Sequence, residues 1–114
     1  MLLITTEITL DELKKMALKM HNNLVKAVVD IEKGIMIVDA ELHADQEDTF
    51  LENGSAQQNL WGINLHPSKF GSDDFIEFDS MINIRPSQGN YDRGVNDTAT
   101  QKKIVSIVNQ LVIS

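Results

Sequence analysis

The chain has 114 residues and 12.8 kDa, a length that suits one folded domain, residues 1–114, and would leave two domains too small to bury proper cores. A composition of 42% hydrophobic and 24% charged residues excludes a disordered or low-complexity chain, and ten basic against seventeen acidic residues give a net charge of −7. That charge argues against nucleic acid as a partner, because affinity for it comes largely from neutralising phosphates. With no cysteine, disulfides, thiol catalysis and cysteine-held metals are excluded, and a reducing cytoplasm is the expected location. No run reaches the ~18–20 apolar residues of a membrane span, so no membrane contact is expected.

Residues 2–7 are rich in β-formers and predict a short strand, with Thr9 and Glu12 then forming a capping box that opens a helix. Leu10, Leu13, Met16, Ala17, Met20 and Leu24 recur at helical spacing as one buried stripe, and His21, Asn22 and Asn23 end it. From Leu24 the period becomes two, and Glu32-Lys33-Gly34 supplies a turn, which predicts a β-hairpin over residues 24–42. Asp45 reads as the N-cap of a short acidic helix with Glu47 and Asp48 in its first turn and Gly54 as its stop.

Leu60 to Leu65 predicts a strand with Trp61, Ile63 and Leu65 on one face, closed by Pro67. Residues 75–85 alternate for eleven positions and predict a long strand with Ile76, Phe78, Ile82 and Ile84 facing inward and Glu77, Asp79, Asn83 and Arg85 facing outward. Met81 falls among polar neighbours there, as an oligomer contact would. After a polar turn cluster, Thr98 and Gln101 fit a second capping box, and Ile104, Ile107, Val108, Leu111 and Val112 form the stripe of the last helix. The fold class is α+β: an antiparallel or mixed sheet of about five strands in the order β-α-β-β-α-β-β-α, with helices mainly on one face and the other face open.

Two constellations bear chemistry. Glu41-x-His43-x-Asp45 would lie on one strand face within reach of a single divalent metal ion, unless Asp45 caps the following helix. His66 and Asn64 belong to the same exposed face and could join it. The second runs from Arg85 to Arg93: with Ser87, Gln88 and Asn90 it gathers guanidinium and amide donors suited to a phosphate or carboxylate. Together they would make a metal-dependent hydrolase or nuclease acting on a phosphate-containing substrate, with Glu41, His43, Arg85 and Arg93 as catalytic candidates. The spacings of a nucleophile elbow, a zinc-protease motif and a phosphate-binding loop are all missing.

The blocks Val25-Lys26-Ala27-Val28-Val29-Asp30, Ala40-Glu41-Leu42-His43-Ala44-Asp45, Leu60-Trp61-Gly62-Ile63-Asn64 and Ile82-Asn83-Ile84-Arg85-Pro86-Ser87-Gln88-Gly89-Asn90 occur in this order. Together they resemble, over nearly the whole chain, a family of small prokaryotic proteins known as a domain of unknown function. The resemblance implies a stand-alone cytoplasmic domain and brings no activity, cofactor or catalytic residue. The leading expectation is therefore a non-enzymatic interaction module that forms a homo-oligomer or binds a protein partner, with the hydrolase as the alternative.

Overall fold

The computed structural model describes residues 1–20 and 22–114. Its elements are β1 (Leu2–Ile4), β2 (Ile8–Thr9), α1 (Leu10–Ala17), β3 (Val25–Asp30), β4 (Ile35–Val38), α2 (His43–Glu52), β5 (Leu60–Leu65), β6 (Ile76–Glu77), α3 (Thr98–Leu111) and β7 (Val112–Ile113). The architecture is α+β, as the alternation of period two and period 3.6 predicts. Five strands form an antiparallel sheet in the order β1-β4-β3-β5-β6. The two-residue strands β2 and β7 pair in parallel beside it, Ile8 opposite Val112 and Thr9 opposite Ile113.

One face carries the main core. Ala27, Val29, Met36, Val38, Ile63 and Leu65 project from the sheet against Leu13 and Ala17 of α1 and Ile104, Ile107, Val108 and Leu111 of α3. Thr9 caps α1, its hydroxyl accepting from the Glu12 N–H at 3.1 Å. The helix ends at Ala17, short of the stop expected at His21, Asn22 and Asn23, of which His21 lies outside the described residues. The open second face expected from the sequence is covered: α2 lays Phe50 against Val28, Ile37 and Leu60, with Ile82 alongside. β3 is accordingly buried on both sides, which is why Val28 and Val29 are equally enclosed.

Three local expectations fail for identifiable reasons. β4 stops at Val38 because Asp39 takes a left-handed conformation, φ 66°, and turns the chain out of the sheet. α2 starts at His43 with Leu42 at its cap position, so Asp45 sits inside the first turn and caps nothing. The cap of α3 is Asp97, which accepts from the Thr100 N–H at 2.9 Å, while the Gln101 amide donates to the Val95 carbonyl.

The largest departure concerns residues 75–85. Only Ile76–Glu77 pairs as a strand, and a single 3₁₀ turn follows at Met81–Asn83. Ile76, Phe78 and Ile82 pack inward and Glu77 and Met81 are exposed as the alternation predicts, but its end is reversed: Asn83 and Arg85 are buried, whereas Ile84 is exposed. The cause is on β5. Gly62 leaves no side chain in the way, and the Ser80 side chain lies against its backbone. A Cβ on Gly62 would meet Ser80 Cβ and Oγ at 2.5 Å. Gly62→Ala is therefore expected to destabilise the protein by about 1–3 kcal/mol. Urea denaturation would measure it, and adding Ser80→Gly should restore part of the loss.

Candidate functional site

The turn at Asp39 disperses Glu41, His43 and Asp45. Glu41 and Asp45 are exposed on either side of the α2 start, whereas His43 points inward and its Nε2 lies 2.8 Å from the Ile63 carbonyl oxygen. A carbonyl can only accept, so Nε2 carries the proton of the neutral ring. Burial pushes the His43 pKa below its ordinary value; the bond to Ile63 opposes this, and the nearby Lys26 charge adds to it. Among the described residues no three His, Asp or Glu side chains gather to hold a metal ion.

The segment from Ser80 to Asn96 completes the outer edge of β5 where β6 ends. The Asn83 amide acts as a strand partner for Gly62: its Oδ1 accepts the Gly62 N–H at 2.8 Å and its Nδ2 donates to the Gly62 carbonyl at 2.9 Å. Asn90 holds the loop from within, donating to the carbonyls of Asn83 and Gly94 at 2.8 Å and accepting the Asn96 N–H at 2.9 Å. Arg85 and Asn90 exchange backbone hydrogen bonds around the turn that contains Ser87 and Gln88. The sequence pattern places Asn83 outward, and Gly62 within a strand is the one signal that a neighbouring backbone approaches closely.

Arg85 spends its donors on this scaffold. Nε donates to the Ile82 carbonyl at 3.0 Å, Nη1 to Gln57 O at 2.7 Å and to Gln88 Oε1 at 3.1 Å, and Nη2 to Leu60 O. Four of about five N–H groups are thus taken by neutral acceptors. The guanidinium carbon lies 4.4 Å from the centre of the Trp61 ring, and burial lowers its pKa against the raising effect of Glu47. Arg93 is engaged elsewhere: its Nε donates to Asp79 Oδ1 at 2.5 Å, which raises its pKa. The two arginines serve different partners. Ser87 is exposed, and the Gln88 and Asn90 amides bond to neighbouring chain atoms.

A different polar set assembles at the β6 end of the sheet. Lys26, Asn64 and Glu77 stand in register across three strands. Asn64 Nδ2 donates to Glu77 Oε1 at 3.0 Å, and His66 Nε2 lies 3.0 Å from the same oxygen. These two bonds hold the Glu77 carboxyl below its ordinary pKa, the Asn64 bond more strongly. Asn64 Oδ1 is buried without a partner among the described residues. Glu77, Asp79 and Asp92 then line an open groove of about 630 Å³ in which Arg93 is the one cation among the described residues. With Arg93 already paired to Asp79, the groove repels phosphate and attracts positive charge. The alternation puts Glu77 with Asp79 and Asn64 with His66; the fold-back that brings Asp92 and Arg93 beside them was not legible.

Residues 2–111 match the family described as protein of unknown function (DUF5674), and the chain belongs to that family. No curated protein and no solved structure matches it. Among the described residues no helix is long and apolar enough to cross a membrane.

The lowered His43 pKa has a pH signature. Below the ordinary histidine value of about 6.5 the unfolded chain binds a proton that folded His43 refuses, so stability falls as pH drops from 7 toward about 5.5. Glu77, whose folded pKa is lowered, contributes stability above the ordinary glutamate range and loses it only at lower pH. His43→Gln retains an amide donor for Ile63 and should flatten the pH 7 to 5.5 slope. Equal slopes of unfolding free energy in the two proteins would refute the assignment.

Proposed function

We propose that this chain is a non-enzymatic interaction module that self-associates through the β1 edge of its sheet. The observation that carries this reading is the outer side of β1, which pairs with β4 on one side only and displays Leu2 and Leu3, both exposed. Natural sheets blunt such edges with charge or proline, and Leu2-Leu3-Ile4 contains neither.

The ladder parity adds detail. Gly34 and Asp39 donate to the Asp30 and Lys26 carbonyls, so the β3 residues of that parity, Val28 included, turn their backbone toward β4. Ile35 and Ile37 then turn theirs toward β3, and Met36 and Val38 toward β1. Ile4 and Leu2 answer Met36 and Val38, which leaves the Leu3 N–H and carbonyl pointing away from the sheet. A second copy arriving antiparallel about Leu3 would pair the same strand with itself, a closed two-fold contact. The Leu3 side chain also borders a hollow of about 250 Å³ with Ile35, Ile37 and Phe50, where a neighbouring chain's apolar side chain would lose water contact.

The engaged arginines and the dispersed Glu41, His43 and Asp45 support a binding role over phosphate chemistry. Light scattering after gel filtration at high micromolar concentration should give twice the 12.8 kDa of one chain. Leu3→Lys, a charged substitution on the exposed edge, should return it to the monomer with its far-UV spectrum unchanged. A wild-type monomer throughout that range would sink the proposal.

A further inference from the structure

One hollow on the α3 side of the sheet gathers aromatic rings from the segment around β6. Three of the chain's four phenylalanines, Phe70, Phe75 and Phe78, line a cavity of about 320 Å³, with Val105 and Asn109 of α3 completing its wall. Phe75 is buried and Phe78 leans on the main core, whereas Phe70 is exposed. The Phe70 and Phe75 rings stand 5.1 Å apart between centres at 82° to one another, so they meet as two walls of a corner and not as a flat stack. An aromatic face carries negative charge density, and rings that meet at a corner can present it to one guest from more than one direction.

The one charged group at the rim has the same sign. Asp73 lines the hollow, and its carboxylate has neither a hydrogen bond nor an ion pair among the described residues. No Lys or Arg among the described residues lines the cavity to offset that charge. The side-chain amide of Asn109, exposed on α3, is likewise uncommitted among the described residues. The adjoining backbone is closed. Ser80 N–H donates to the Arg93 carbonyl at 2.9 Å and Gly94 rests against the Phe78 carbonyl, so the rim offers a peptide no row of open strand groups.

We propose that this hollow binds a small free organic cation, its quaternary ammonium head seated among Phe70, Phe75 and Phe78 beside Asp73 and a short polar tail reaching the Asn109 amide. Each feature selects part of that ligand. The aromatic corner favours a large, weakly hydrated cation over a metal ion or a primary ammonium, because methyl groups bury apolar surface against the rings while the ring faces meet the charge. Asp73 supplies the counter-charge at the rim and remains in contact with water. An anion would be repelled by Asp73, and an uncharged ligand would forgo both the ring faces and the carboxylate. The cavity is small for a ligand site, which suits a molecule of few atoms. The net charge of −7 favours the approach of any cation. The hollow lies at the β6 end of the strand order, remote from β1, and does not depend on self-association.

The probe is choline chloride, titrated against the whole chain and followed by proton NMR. Its trimethylammonium resonance should move upfield, because protons over an aromatic face are shielded, and should saturate with a dissociation constant of about 1 mM. The carbon analogue of choline, in which tert-butyl replaces trimethylammonium, has the same shape without the charge and should bind about tenfold more weakly. Phe70→Leu keeps an apolar wall but removes the ring, and should weaken choline about fivefold. Asp73→Asn should weaken it about threefold, and binding to the wild type should fall as salt rises. Both positions are exposed, and thermal melting checks that the variants fold. Absence of saturation up to about 50 mM, equal binding of the carbon analogue, or indifference to both substitutions would overturn the proposal. A short peptide bearing trimethyl-lysine that binds more than about tenfold tighter than choline would also overturn it, by making the occupant a modified protein.

Discussion

The pairing of one side-chain amide with one glycine holds the second half of this protein in place. β5 runs six residues, but its outer neighbour β6 runs only two, so the backbone of Gly62 and Leu60 would be left without partners beside a buried core. Asn83 answers Gly62 with both ends of its amide, and Arg85 answers Leu60 with a guanidinium N–H. Leaving such buried groups unpaired costs roughly 1–3 kcal/mol each, so the fit is energetically decisive. It also explains the neighbours: Ser80 lies where a Gly62 side chain would stand, and Asn90 ties down the loop that carries Arg93 into the groove.

From this constraint follows the distribution of charge. The cation that the sequence offers as an anion ligand, Arg85, is absorbed by carbonyls and by the Trp61 ring, an arrangement suited to a planar, weakly hydrated group. What remains at the β6 end is a surface where carboxylates outnumber free cations.

The legible parts of the sequence were those governed by period. The stripe Leu13, Ala17 and the stripe Ile104, Ile107, Val108, Leu111 bury as their spacing predicts, and Leu60–Leu65 pairs over its whole predicted length. The hairpin was visible in its alternation and in Gly34, but not the left-handed Asp39 that ends it, because one residue's φ leaves no trace in hydrophobic spacing. Residues 75–85 misled for the converse reason. Their alternation holds as far as Ile82, yet the polar positions at its end are buried, since Asn83 and Arg85 satisfy backbone groups that no periodicity reveals. The same blindness governed the candidate site: Glu41, His43 and Asp45 share a face only if the strand continues, and Glu77, Asp79 and Asp92 come together only after the chain folds back.

The small parallel pair of β2 and β7 bears on how the molecule assembles. It joins Ile8 and Thr9 to Val112 and Ile113, residues separated by almost the entire described chain. Closing a loop of roughly a hundred residues carries an entropic cost of about 4 kcal/mol, which a two-residue pairing repays only once the sheet and helices are already packed. The pair is therefore a late event in folding, a latch rather than a nucleus. Until the pair forms, Ile8, almost wholly enclosed in the finished protein, lacks the cover of Val112.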